Sequence, residues 1–148
     1  MLVTSVFARK EEYMIRNPLS TIVVADPDSA YQRQIVSLLQ ASFRCFAAGT
    51  LREAYQIILH ERPTLITLEL EQPDGDGIAF IQYLQADPAL RQILIACVTR
   101  RASIMDKVRA FRAGADDYIV KPLPSSTFYG QMLLLRRAGH MARSYSNR

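Results

Sequence analysis

No apolar run in these 148 residues approaches the length needed to cross a bilayer, so a membrane-spanning helix is excluded. The opening stretch MLVTSVFARKEEYMIRNP breaks into charge too early for a signal peptide, and a cytoplasmic location is the expectation. Cysteine is scarce. Cys45 and Cys97 sit inside apolar runs with no metal-ligand spacing nearby, so both are expected as core thiols rather than as a disulfide or a metal site. Neither His60 nor His140 has a catalytic neighbour in sequence, which leaves hydrolysis of an external substrate without support. Internal repeats and low-complexity segments are absent. Acid is missing from the closing stretch RRAGHMARSYSNR, whose simplest reading is a solvated basic end.

What is present is 49% hydrophobic and 22% charged, the balance of one globular domain with a real core. The runs TIVVA (21–25), LITLEL (65–70), ILIACV (93–98) and YIV (118–120) read as strands buried on both faces, with FRCFAA (43–48) as a fainter fifth. Helical spacing fills the gaps over 29–41, 50–61, 77–85, 103–112 and from about 125. Asp28 or Ser29, and then Thr50, are placed to cap the first two helices; Pro63 ends the second and Gly114 the fourth. Five alternations of strand and helix predict a three-layer, doubly wound α/β domain with a five-stranded parallel sheet. Residues 1–19 read as an N-terminal extension, 20–138 as the domain, and 139–148 as a basic tail.

Function in such a fold gathers at the carboxyl ends of the strands. Asp26, Glu69, Thr99 and Lys121 all fall there, with Asp28 two residues beyond Asp26. Together they predict one acidic pocket with a hydroxyl and an ammonium beside it.

AGADDYIVKPL (113–123) and PTLITLELEQPDGDGIAFIQYL (63–84) resemble the receiver domain of two-component response regulators, a flavodoxin-like (βα)5 fold. The resemblance covers about residues 20–138. It implies that a strand-end Asp takes a phosphoryl group from a histidine kinase, with Mg²⁺ held by two acids after the first strand. It makes Thr99 and Lys121 the phosphoryl-binding pair, Tyr118 the aromatic that changes rotamer on activation, and Asp26 the first acid. It also implies a cis bond before Pro122.

Three departures stand against that pattern. Glu69 replaces the acceptor Asp, Pro27 stands where the second acid belongs, and Arg100 follows Thr99 where a small residue is common. Glu carries its carboxylate about 1.5 Å further than Asp, and errors of about 1 Å can cost around a hundredfold in phosphoryl transfer. Loss of a ligand weakens Mg²⁺, which demands near-ideal oxygen geometry. No cofactor is expected. The expectation is therefore a divergent pseudo-receiver, not an enzyme, that acts through a protein partner. Its site is either silent, with Glu69 only a partner of Lys121, or locked, with Glu69 imitating a phosphorylated Asp; silence is the favoured of the two. Arg100 is expected as a gate that folds across the mouth and supplies the charge Mg²⁺ would bring. A working phosphoacceptor site of unusual type is the alternative.

The resemblance places the partner face on the fourth helix, fifth strand and fifth helix, where Lys107, Arg109, Arg112, Asp117 and Gln131 lie. The partner implied is a histidine kinase or another signalling protein, or a second copy. Lys107, Asp116 and Asp117 keep the flavour of a dimer's ion pairs. Arg112 and Gln131 depart from them, Arg112 from a position commonly acidic and Gln131 from one commonly Arg. Nucleic acid, bound through the basic fourth helix and tail, is the weaker alternative, because no aromatic residue interleaves those charges.

Overall fold

Strands form at every apolar run, and caps decide where the helices begin. The computed structural model describes residues 19–146, with side chains as far as residue 142. The expected N-terminal extension therefore lies outside the described residues except at Leu19. In chain order come β1 (Ser20–Ala25), α1 (Ser29–Leu39), β2 (Phe43–Ala48), α2 (Leu51–Glu61) and β3 (Leu65–Leu68). Then follow β4 (Glu71–Gln72), β5 (Gly75–Asp76), α3 (Gly77–Ala86), β6 (Leu94–Thr99), α4 (Ile104–Ala113), β7 (Asp117–Val120) and α5 (Ser125–Ser146). The main sheet is parallel in the order β2-β1-β3-β6-β7, while β4 and β5 make a small antiparallel ladder after β3.

Alternation along the strands splits the core in two. Val23, Ile66, Leu68, Ile95 and Cys97 face α2, α3 and α4, where Ala54, Ile58, Ile81, Leu84 and Ala110 are buried. Ile22, Val24, Leu65, Ala96 and Val98 face α1 and α5, where Ile35, Leu39, Phe128 and Met132 are buried. β2 was faint in sequence because it is an edge strand, partly open to water along its length.

Asp28, not Ser29, caps α1, accepting from the Ala30 amide at 2.9 Å. Thr50 accepts from Glu53 N at 3.0 Å, and Ser103 from Asp106 N at 3.0 Å. α2 closes through Arg62 in the left-handed region (φ 46°) just before Pro63, and α4 closes at Gly114 with φ 126°. The third strand stops at Leu68, two residues earlier than its apolar run, so Glu69 is its first residue beyond. α1 likewise ends at Leu39 rather than at 41.

α5 runs unbroken past residue 138 into the stretch expected to be a tail. Arg136 Nη1 donates to the Ser42 carbonyl at 3.1 Å and its guanidinium lies 4.8 Å from the Phe43 ring centre. The Tyr129 and Ser42 hydroxyls are hydrogen-bonded. Gly139 lies against Leu94, so closely that a Cβ would fall 2.5 Å from Leu94 Cδ1.

Candidate functional site

Parallel register brings the strand ends level. Ala25 lies opposite Leu68, Leu68 opposite Cys97, and Thr99 opposite Val120. The next residues along β1, β3 and β7 are thus Asp26, Glu69 and Lys121, and all three are buried together with Thr99. Lys121 Nζ lies 2.7 Å from Asp26 Oδ2 and 3.3 Å from Glu69 Oε1. The peptide bond from Lys121 to Pro122 is cis.

The oxygens of the two acids have partners already. Asp26 Oδ1 accepts from Asp28 N at 2.9 Å, while Oδ2 receives no well-directed hydrogen bond and faces the Lys121 charge instead. Burial pushes the Asp26 carboxyl above its ordinary range, a rise that Lys121 and the Asp28 amide only partly offset. Glu69 Oε2 accepts from its neighbour Leu70 N at 2.7 Å, and Oε1 accepts from Arg100 N at 3.3 Å as well as from Lys121. The carboxylate therefore bonds the Arg100 backbone amide, while the Arg100 guanidinium pairs with Asp28 Oδ2 at 3.5 Å on the exposed rim. A cleft of about 350 Å³ opens between Asp26, Asp28, Glu69, Arg100 and Lys121, with Pro27 in its wall.

Arg101, to which the sequence assigns no role at the pocket, ties this loop down. Its amide donates to Thr99 Oγ1 at 3.2 Å, its carbonyl accepts from the Tyr118 hydroxyl at 2.7 Å, and its Nη1 donates to Asp76 Oδ1 at 2.9 Å. Glu71 lies 3.7 Å from its Nε. Burial pushes the Tyr118 phenol up to about 12. Tyr31 falls at helical spacing on the apolar face of α1, and its ring centre lies 4.0 Å from Lys121 Nζ, roofing the buried ammonium. Asp74 was also missed. Its two carboxylate oxygens accept from Leu51 N and Arg52 N, each at 2.9 Å, and so fasten the loop after β3 to the start of α2.

The residues expected to form a partner face are largely engaged within the domain. Lys107 Nζ lies 5.9 Å from the Tyr118 ring centre, Arg109 pairs with Asp106 at 3.8 Å, and Asp117 Oδ1 accepts from Tyr118 N at 2.8 Å. Asp116 accepts from Ile95 N at 2.9 Å, a bond within its own sheet. Arg112 is exposed, and Gln131 is half-buried. Ile104, Met105 and Phe111 are also exposed on α4, an apolar element that attention to charge alone passed over. Cys97 is buried, its thiol pushed up to about 12 by that burial, and Cys45 is half-buried; both are free.

The model of the response regulator receiver domain family matches residues 22–131. The phosphate regulon transcriptional regulatory protein PhoB of Pseudomonas aeruginosa is 30% identical over 121 residues, which is 80% of this chain and 53% of that protein. The KDP operon transcriptional regulatory protein KdpE of Escherichia coli is 34% identical over 105 residues, 70% of this chain and 45% of that protein. The chain thus spans about half the length of the curated relatives it matches. A CheY-like receiver domain protein from Methanospirillum hungatei superposes with a TM-score of 0.78 at 22% identity, over 84% of this chain and 98% of that one. Because that family's model spans residues 22–131, most of the chain, this chain belongs to the response regulator receiver domain family.

Proposed function

We propose that this receiver domain is a pseudo-receiver, a signalling module that binds a protein partner and whose pocket is held in one state by its own side chains rather than by phosphorylation. The observation that carries this reading is the position of the Lys121 ammonium, sealed between Asp26 and Glu69 at 2.7 and 3.3 Å. A phosphoryl group would have to compete with two carboxylates for that lysine. Glu69 has both oxygens engaged, one with Leu70 N and the other with Arg100 N and Lys121.

The donor set does not suit Mg²⁺. Pro27 has no side-chain oxygen, Asp28 is spent on capping α1 and pairing Arg100, and the free edge of Asp26 faces an ammonium. Among the described residues no group of three or more His, Cys, Asp or Glu side chains is placed to hold a metal. In place of a metal, the Lys121 ammonium is shared between the two buried acids, while Arg100 balances Asp28 at the rim. The loop after β6 is pinned by Glu69, Thr99 and Tyr118 with no phosphate required. We read the domain as a binding module rather than an enzyme, acting in the cytoplasm; among the described residues no helix is long and apolar enough to cross a membrane.

Thermal melts with Mg²⁺ and beryllofluoride, an imitator of the phosphorylated state, test this. A ligand at a hundred times its dissociation constant adds roughly 2.7 kcal/mol, a shift of several degrees for a domain of this size. The wild-type midpoint should not move, whereas a Glu69→Asp, Pro27→Asp double variant should respond. A rise in the wild type would overturn the proposal.

A further inference from the structure

Among the described residues, Leu134, Ala138 and Met141 on the outward face of α5 line neither the pocket nor the buried core. Phe128 and Met132 bury one side of the helix, and Arg136 and Gly139 seat it on Ser42, Phe43 and Leu94. On the opposite side Leu134 is 68% exposed and Met141 56% exposed. They are seven residues apart, about 10 Å along the axis, with exposed Ala138 between them. That spacing is the one by which one helix packs along another. Exposed Arg137 flanks the stripe, and no Asp or Glu occurs anywhere in residues 118–148.

Charge and apolarity together select the occupant. A second copy would set Arg137 beside its own duplicate with no acid on α5 to answer it. Duplex nucleic acid would satisfy the arginine and leave Leu134 and Met141 in water. We infer that the face of α5 from Leu134 to Met141 docks an acidic amphipathic helix of another protein. Leu134, Ala138 and Met141 form the seam, and Arg137 pairs with a carboxylate of the partner at its edge. This deepens the reading of the chain as a protein-binding module by naming the surface and the partner's chemistry, and it rests on that reading.

The probe is a labelled synthetic peptide of heptads with Leu at a and d and Glu at e and g, titrated with the full chain by fluorescence anisotropy. Saturable binding is expected, weakening with added salt and falling by roughly tenfold or more, about 1.4 kcal/mol, in Leu134→Glu, Met141→Glu. Both side chains are exposed, so circular dichroism and the melt should match wild type. Arg137→Ala should weaken binding by a smaller factor, and a peptide with Lys at e and g should not bind. No binding by wild type, equal binding by the double variant, or tighter binding of random duplex DNA or of phosphatidylserine vesicles would overturn the inference. So would self-association of the wild type that the double variant abolishes. The titration contains neither Mg²⁺ nor beryllofluoride, so a failure here leaves the reading of the pocket standing, and a responsive pocket leaves this surface standing.

Discussion

Lys121 Nζ sits 2.7 Å from Asp26 Oδ2 with both side chains sealed from water. Removing one partner of such a pair leaves the other charge buried and uncompensated, which typically costs about 3–5 kcal/mol. Lys121→Met should therefore lose stability of that order at pH 7, measured by urea unfolding. Burial already holds the Asp26 carboxyl above its ordinary 3.8. A raised folded value means a contribution to stability that is full below pH 3.8 and lost as pH rises through the raised value. Without the lysine that rise should be larger, so the gap between variant and wild type should narrow as pH falls. A variant as stable as wild type at pH 7 would show that the ion pair does not hold the pocket.

Asp74 bridges two parts of the chain through hydrogen bonds from Arg52 N and Leu51 N, which hold its carboxyl below the ordinary value. A depressed folded value contributes stability above pH 3.8 that is lost as pH falls through it. In Asp74→Ala the amide hydrogens of Leu51 and Arg52 should exchange faster, and part of the acid-side fall in stability should vanish. Unchanged exchange at both amides would mean that Thr50 alone caps α2.

Strand ends made Asp26, Glu69, Thr99 and Lys121 legible in the sequence, because a polar residue closing an apolar run has few other reasons to be there. The sheet and its helices were legible for the same reason: apolar periodicity and capping residues are local signals. The bonds that set the pocket's state are not local. No local signal says which way Arg100 and Arg101 turn, yet the first turns to the rim and the second is tied to Thr99, Tyr118 and Asp76. Tyr31 fits the apolar face of α1, and its place over Lys121 depends on how that helix lies across the strand ends. The role of Asp74 leaves no local trace, because its partners lie more than twenty positions earlier.

Tyr118 donates to the Arg101 carbonyl at 2.7 Å, and burial pushes its phenol up to about 12. Stability from such a group is full below the ordinary value near 10 and is lost as pH rises from there through 12. Absorbance titration should find a tyrosine ionising near 12 that disappears in Tyr118→Phe. That variant should also free the loop after β6, read as faster amide exchange at Arg101 and its neighbours. Early ionisation of all seven tyrosines would show that the hydroxyl is not held.

Two glycines of α5 offer a paired test of how that helix lies on the domain. Gly130 has no heavy atom within 4 Å of a would-be Cβ, whereas at Gly139 the Cβ would meet Leu94 Cδ1 at 2.5 Å and Cγ at 3.2 Å. Alanine in a helix interior is favoured over glycine by about 0.8–1.0 kcal/mol. Gly130→Ala should gain close to that amount. Gly139→Ala should gain the same propensity but must displace Leu94, which packs against the core of the α1–α5 side. Overpacking of this kind costs about 1–3 kcal/mol, so that variant should be neutral or destabilised. Denaturant midpoints for the two variants decide the matter: equal gains would mean that α5 does not rest on Leu94, and that its outward face is not fixed where the docking surface requires it.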